Sequence, residues 1–184
     1  MKEAVYLFLA EGFEELEAIA VVDFLRRAAL TVHTVAVGKQ REVRGAHGVT
    51  VTADGLFTDF DYEGAVMLIL PGGMPGASNL AAHAGLTQLL QDQRKCNRWI
   101  AAICAAPAIV LGQQQLLSGH EAVCYPGFED KLENAIVCTE PVKVSGKFIT
   151  ARGPGFAVDF ARCIVEQLCG RAAADEVAQG MLLK

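Results

Sequence analysis

The sequence predicts an α/β fold in which a mostly parallel sheet lies between two layers of helices. Two observations carry this. Short, almost wholly apolar runs alternate with longer stretches of helical period, as strands buried on both faces alternate with crossover helices. Several of those runs also stop abruptly at glycine, proline or cysteine, where a strand gives way to a loop or a new helix. The 184 residues suit one core, so a single domain over residues 1–184 is expected.

The elements follow in order. Ala4 to Ala10 (AVYLFLA) reads as a first buried strand. Residues 1–3 lead directly into it, and Glu11, Glu14, Glu15 and Glu17 follow with no small-residue cleavage site, so the start does not read as a signal peptide. Glu14 to Ala29 is helical, with acids in its first turn and Arg26 and Arg27 near its end, an order that complements the helix dipole. Leu30 to Val37 alternates as a strand; Gly38 to Gly48 is polar; Val49 to Ala53 reads as an added strand of a small hairpin. Val66 to Leu70 is a buried strand stopped by Pro71-Gly72-Gly73, and Leu80 to Lys95 is helical. Trp99 to Ile103 is a further central strand, and Ala105 to Leu111 starts a helix directly after Cys104. His120 to Cys124 and Ile136 to Thr139 are short strands, and Val142 to Thr150 is a hairpin around Ser145-Gly146. Gly155 to Cys169 and Ala172 to Leu183 close the chain as helices. The chain is too short for two full dinucleotide-binding halves, so the flavodoxin-like variety of doubly wound sheet is expected. Ligands of such sheets bind at the carboxyl ends of the strands. That singles out Ala10-Glu11-Gly12, Pro71-Gly72-Gly73, Cys104 and Tyr125-Pro126.

Composition excludes several classes. Hydrophobic residues make up 52% and charged residues 20%, the balance of a globular chain. A net charge of -5, with scattered Lys and Arg, leaves no basic stripe for nucleic acid. No run approaches the roughly 18 apolar residues of a membrane span. Six cysteines fall mostly inside apolar segments, with no Cys-x-x-Cys pair and no zinc-ligand spacing. Reduced thiols in a cytoplasmic protein, with no metal, are the expectation.

The segment around Cys104 is the most informative. An apolar strand runs into it and a helix begins at once, with Ala102 two before and Ala106 two after. That is the small-x-nucleophile-x-small pattern of a nucleophile elbow, a turn too tight for large neighbours. Pro107 suits the first helical turn, where its missing N–H costs nothing. A thiolate at a helix N-terminus meets free N–H groups and the positive end of the dipole, so a thiol pKa below the usual value of about 8.5 is expected. Backbone N–H groups of the elbow and of Gly72 and Gly73 are expected to form an oxyanion hole. Buried core cysteine, the ordinary state of a free thiol, is the reading for Cys138, Cys163 and Cys169.

Most of the acids after the first strand are explained as first-turn helix acids. Glu17 is set among Leu16, Ile19 and Ala20. If it faces inward it is protonated or paired, and can donate a hydrogen bond to a thiolate or act as general acid and base. Periodicity leaves that orientation open.

Four segments together resemble the ThiJ/PfpI superfamily, specifically its DJ-one-like branch: Glu11-Gly12-Phe13-Glu14-Glu15-Leu16-Glu17, Leu70-Pro71-Gly72-Gly73-Met74-Pro75-Gly76, Ala101-Ala102-Ile103-Cys104-Ala105-Ala106-Pro107 and Arg152-Gly153-Pro154-Gly155. The resemblance spans nearly the whole chain. It implies a flavodoxin-like homodimer with Cys104 as nucleophile, readily oxidised to a sulfinate. It also implies that Glu17 is the carboxyl bonded to that sulfur, that Gly72, Gly73 and Ala105 are backbone donors, and that Pro154 lines the site. The activities implied are cofactor-independent and use reactive aldehydes or glycated protein groups: glutathione-independent conversion of methylglyoxal to lactate, and protein deglycation. Redox sensing and chaperone-like protection through the same cysteine are the alternative, with Cys124 as a candidate resolving thiol. Two positions depart from the pattern. Tyr125 stands where some members place a histidine near the thiol, and a phenol titrating near 10 is a poor base at neutral pH. His47, in Gly45-Ala46-His47-Gly48, stands where members often carry an arginine from the partner subunit. It reads either as an exposed loop histidine or as a site residue.

A cysteine peptidase is disfavoured because the superfamily's protease branch has a histidine directly after the nucleophile, where this chain has Ala105. No His-x-Glu segment of a class I amidotransferase is evident. An FMN-binding flavodoxin is rejected because a Glu-rich first loop repels phosphate.

Overall fold

Residues 4–183 are described by a computed structural model. Residues 1–3, read above as leading into the first strand, and residue 184 lie outside the described residues. The elements are β1 (Ala4–Leu9), α1 (Glu15–Arg27), β2 (Val32–Ala36), β3 (Glu42–Arg44), β4 (Thr50–Thr52), β5 (Gly55–Leu56), β6 (Ala65–Leu70), α2 (Gly76–Ala81), α3 (Ala84–Lys95), β7 (Trp99–Ile103), a widened helical turn over Pro107–Gly112, β8 (Glu121–Ala122), β9 (Ile136–Val137), β10 (Val142–Ser145), β11 (Phe148–Ala151), α4 (Ala157–Cys169) and α5 (Arg171–Gly180). Seven strands form one sheet in the order β5-β2-β1-β6-β7-β11-β10. Every neighbouring pair is parallel except β10 and β11. The fold is the flavodoxin-like α/β sandwich read from the sequence.

The period of two along β1 divides the core. Val5, Leu7 and Leu9 pack on one face with Phe24 of α1 and Phe160 and Ile164 of α4. Tyr6 and Phe8 pack on the other with Leu86 and Leu90 of α3 and Val110 of the turn after β7. All six residues of β1 are buried, as an apolar run covered on both faces requires.

Several boundaries differ from the sequence reading. The polar stretch holds a strand of its own, β3, antiparallel to β4; its one buried residue, Val43, is too little for a periodic signal. The two-residue β5 is likewise below what alternation can show. The helix expected over Leu80–Lys95 is broken at His83, whose ring accepts the Leu86 N–H at 3.0 Å and caps α3. The short strands expected near residues 120 and 136 shrink to two residues each and pair with each other outside the main sheet. After Pro107, Gln113 donates to the carbonyl of Ala108 at 3.1 Å, so that segment is wider than an α-helix. Among the described residues no helix is long and apolar enough to cross a membrane.

This topology sets the site. β1 has β2 on one side and β6 on the other, so the loops leaving β1 and β6 diverge and open a crevice at their carboxyl ends. β7, the next strand beyond β6, delivers Cys104 to the same edge.

Candidate active site

Cys104 directly follows β7 with φ +65°, a left-handed conformation that costs a non-glycine residue roughly 1–2 kcal/mol. Neighbouring strands hold it there. Its N–H donates to the Ala151 carbonyl at 2.9 Å, and its own carbonyl accepts the Tyr125 N–H at 2.7 Å. Ala102 and Ala106 are fully buried on either side. Side chains beyond Cβ at those positions would have to displace the core. The residue is 8% exposed, a sulfur at the bottom of a crevice.

Glu17 comes to it from α1. Glu14 is the N-cap of that helix, its side chain accepting the Glu17 N–H at 2.7 Å. One turn of helix then aims the Glu17 carboxyl inward, where it is fully buried, which resolves the orientation that periodicity left open. The Gly72 N–H donates to its Oε2 at 2.7 Å. Its Oε1 has no hydrogen-bond partner, and the carboxyl lies against the Cys104 thiol, close enough for each to shift the other's titration.

Two glycines make this approach possible. A Cβ on Gly72 would stand 2.5 Å from the Cys104 Cβ, 2.9 Å from Glu17 Oε2 and 3.0 Å from Sγ. Gly73, at φ +86°, lies against the loop after β1, where a Cβ would come within 2.5 Å of the Glu14 nitrogen and the Gly12 oxygen. Gly72→Ala is therefore expected to force thiol and carboxyl apart, slowing alkylation of Cys104 at least tenfold and costing about 1–3 kcal/mol of stability. Iodoacetamide kinetics with mass spectrometry and thermal melts check this; an unchanged rate would show that the close approach has no bearing on reactivity.

The donor set differs from expectation in one member. The N–H groups of Gly73 and Ala105 point at the Cys104 sulfur. The N–H of Gly72 does not serve as an oxyanion donor, because it is committed to Glu17.

The expected low thiol pKa is also corrected. Burial first, and then the negative charge of Glu17, push the Cys104 thiol up to about 12, against the opposing pull of the Gly73 and Ala105 N–H groups. Burial likewise pushes the Glu17 carboxyl up to about 7, despite the hydrogen bonds from Gly72 and Cys104. The helix-terminus argument neglected both the depth of the sulfur and the acid facing it. The pair resists carrying two charges, so above neutrality it holds one negative charge and one proton.

The other candidates are distributed around this pair. Tyr125 is exposed and lines a cleft with Pro154, joined to the elbow through the Tyr125–Cys104 backbone bond. His47 sits on the β3–β4 hairpin, exposed, with Nδ1 2.9 Å from Glu15 Oε2 and 3.8 Å from Glu14 Oε1. Its bond to Glu15 holds the imidazole above its ordinary pKa range. Glu14, Glu15 and His47 bring ligand-capable atoms within 4.8 Å of one another. Glu15 Oε1 accepts the N–H groups of His47 and Val49, so this cluster fastens the hairpin to α1. All six cysteines carry free thiols, and the buried-core reading of three of them is corrected: Cys169, at the end of α4, is exposed, and Cys138 and Cys163 are half-buried. Cys104 packs in the core layer beside α1 and α4, whereas Cys124 packs in the layer on the opposite face, which argues against Cys124 as a direct resolving thiol. Sequence reasoning gave no role to Arg152, which lines the cleft beside Tyr125.

A model of the DJ-1/PfpI family matches residues 3–167. The chain belongs to that family. It is 37% identical to the Arabidopsis thaliana protein DJ-1 homolog A over 99% of this chain and 47% of that one, so it spans about half the length of that plant relative. It is 32% identical to the Caenorhabditis elegans glutathione-independent glyoxalase DJR-1.2, covering 99% of this chain and 97% of that protein. Among solved structures, oxidised Toxoplasma gondii DJ-1 superposes with a TM-score of 0.95 at 37% identity, with 99% of each chain covered.

Proposed function

We propose that this family member is a glutathione-independent enzyme of reactive 2-oxoaldehydes, with Cys104 as nucleophile and Glu17 as proton shuttle, converting methylglyoxal to lactate. The observation that carries the reading is the fully buried Glu17 carboxyl set against the thiol of a nucleophile elbow. A relative of nearly the same length that is named for this activity supports it.

The chemistry needs no external oxidant. In the reactive form the pair's proton sits on Glu17 and its charge on sulfur, facing the N–H groups of Gly73 and Ala105. Sulfur adds to the aldehyde carbon, and Glu17 protonates the resulting alkoxide to give a hemithioacetal. The Glu17 carboxylate then removes the hydrogen of that carbon as a proton and returns it to the neighbouring keto carbon. The electron pair of the broken C–H bond passes through an enediol to the keto carbon, and the hemithioacetal hydroxyl gives its proton to the keto oxygen, so the first carbon ends as the oxidised one, a thioester, and the second as the reduced one, an alcohol. Water cleaves the thioester to the hydroxy acid and frees the thiol. Glu17 carries the proton in each of these steps. The test is conversion of methylglyoxal to lactate by the purified protein without glutathione; absence of turnover would overturn the reading.

A second reading, redox sensing, is favoured by one observation: a solved relative that superposes with a TM-score of 0.95 is an oxidised form. A sulfinate on Cys104 would be received by the same N–H donors and by a protonated Glu17. Peroxide titration read by mass spectrometry tests it, and a Cys104 that stays reduced while exposed Cys96 and Cys169 oxidise would overturn it.

The homodimer implied by the family resemblance is supported by apolar side chains left exposed on one side of the molecule. Leu16 and Ile19 of α1 are exposed, as is Val49, which the Val49–Glu15 bond holds beside the first turn of α1. Ile19→Asp is expected to convert a dimer to a monomer at micromolar concentration in light scattering. A dimer unaffected by the charge would place the interface elsewhere.

A further inference from the structure

A cleft joined through the backbone to the turn that carries the thiol contains a cation that the proposed reaction does not use. Tyr125, Pro126, Arg152, Gly153, Pro154 and Phe156 enclose about 300 Å³. Two backbone bonds join this cleft to the elbow: Cys104 N–H to the carbonyl of Ala151, which precedes Arg152, and Tyr125 N–H to the carbonyl of Cys104. Among the described residues, Arg152 has no carboxylate within ion-pair distance. Its guanidinium makes one long contact, 3.4 Å, to the Thr139 carbonyl. The Tyr125 ring lies across Gly153, where a Cβ would stand 3.2 Å from it, and the phenol is exposed.

The surroundings are otherwise negative. Glu11, Glu14 and Glu17 crowd the loop and helix facing Cys104, and the Cys104–Glu17 pair adds its own charge. An acidic substrate reaching Cys104 passes these carboxylates, whereas Arg152 is a cation lining the neighbouring cleft. Guanidinium is the side chain whose planar fork matches carboxylate and phosphate, and a phenol supplies a further donor.

We propose that Arg152 and Tyr125 form an anion subsite beside Cys104, which makes 2-oxoaldehydes bearing a carboxylate or phosphate the favoured substrates over neutral methylglyoxal. The substrate part rests on the aldehyde reading above. The reaction is unchanged: R–CO–CHO and water give R–CH(OH)–COO⁻ and a proton, with the acidic group carried on R and anchored at Arg152.

Two alkylating probes of nearly equal size test the subsite without turnover. In both, sulfur displaces iodide from carbon; iodoacetate carries a charge and iodoacetamide does not. The ratio of their rates at Cys104, relative to the same ratio for N-acetylcysteine in the same solution, is expected to be raised in the wild type. Arg152→Met is expected to lower it about tenfold and Arg152→Lys by less, with thermal melts confirming that both variants fold. Inorganic phosphate and acetate, added as competitors at equal ionic strength, distinguish the two acids by which slows iodoacetate more. A wild-type ratio no higher than that of N-acetylcysteine, or one that survives Arg152→Met, would overturn the subsite. The second arm compares kcat/KM for a phosphate-bearing 2-oxoaldehyde with that for methylglyoxal. Their quotient is expected to exceed one in the wild type and fall at least tenfold in Arg152→Met. A charge-dependent alkylation ratio with no turnover of any aldehyde would leave the subsite standing and overturn the aldehyde reading alone.

Discussion

Cys104→Ser is expected to lower kcat/KM for methylglyoxal by about 10³-fold or more, because a hydroxyl at this site is neither ionised nor strongly nucleophilic. The fold should tolerate the change. A serine Oγ can keep a hydrogen bond to Glu17, the elbow is held by backbone bonds to Ala151 and Tyr125, and the side-chain volume falls only slightly. Glu17→Ala supplies the complementary loss. Without the carboxyl, sulfur has no acid for the alkoxide and no base for the carbon-bound hydrogen, so turnover should fall by about 10²–10⁴-fold while the thiol still takes up iodoacetamide. Lactate formation and alkylation, measured on both variants, separate the two roles. Near-normal turnover in Cys104→Ser would eliminate the covalent route. Normal turnover in Glu17→Ala would move the proton transfer to another group, and Tyr125, the exposed phenol joined to the elbow, would be the first to examine.

The parts of this site that were legible in the sequence are those written in consecutive residues. An apolar strand, Cys104, small flanks at Ala102 and Ala106 and a helix opening at Pro107 are local requirements of one turn, and a reader needs no tertiary information to find them. The same is true of the central strands β1, β6 and β7, whose nearly continuous burial shows in their apolar composition. Glu17 was only half legible. Whether a carboxyl among Leu16, Ile19 and Ala20 turns inward depends on which side of α1 meets the sheet, and here Leu16 and Ile19 are the exposed residues while Glu17 is buried. Hydrophobic periodicity points the wrong way at a position where function has placed an acid in the core. The division of labour between Gly72 and Gly73 was not legible, because it depends on where α1 delivers Glu17. The thiol pKa was misjudged for a related reason: the helix terminus is visible in one dimension, burial and the opposing acid only in three.

The depth of Glu17 has a consequence for stability that can be measured apart from catalysis. A carboxyl that titrates near 4.5 in the unfolded chain and about 7 in the fold binds its proton more tightly when folded. Its contribution is therefore favourable below pH 4.5, where both states are protonated, and declines as pH rises, because the unfolded chain ionises first and is stabilised relative to the native one. By pH 8 the loss amounts to about 3 kcal/mol. Glu17→Gln removes the titration and preserves most of the shape. The stability of the wild type relative to Glu17→Gln is expected to fall by about that amount between pH 4 and pH 8, with the slope concentrated between 4.5 and 7; denaturant unfolding of both proteins across that range measures it. Groups not coupled to Glu17 cancel in the difference, His47 and Glu15 included, and Cys104, the group that is coupled to it, is followed separately by its thiolate absorbance. A flat difference would mean that Glu17 ionises as an ordinary surface acid and has no proton to give at neutral pH, and the general-acid step at Cys104 would have to be abandoned. A slope that continues above pH 7 would mean that the pair keeps both its protons at neutral pH, leaving less of the singly charged form that the aldehyde chemistry requires.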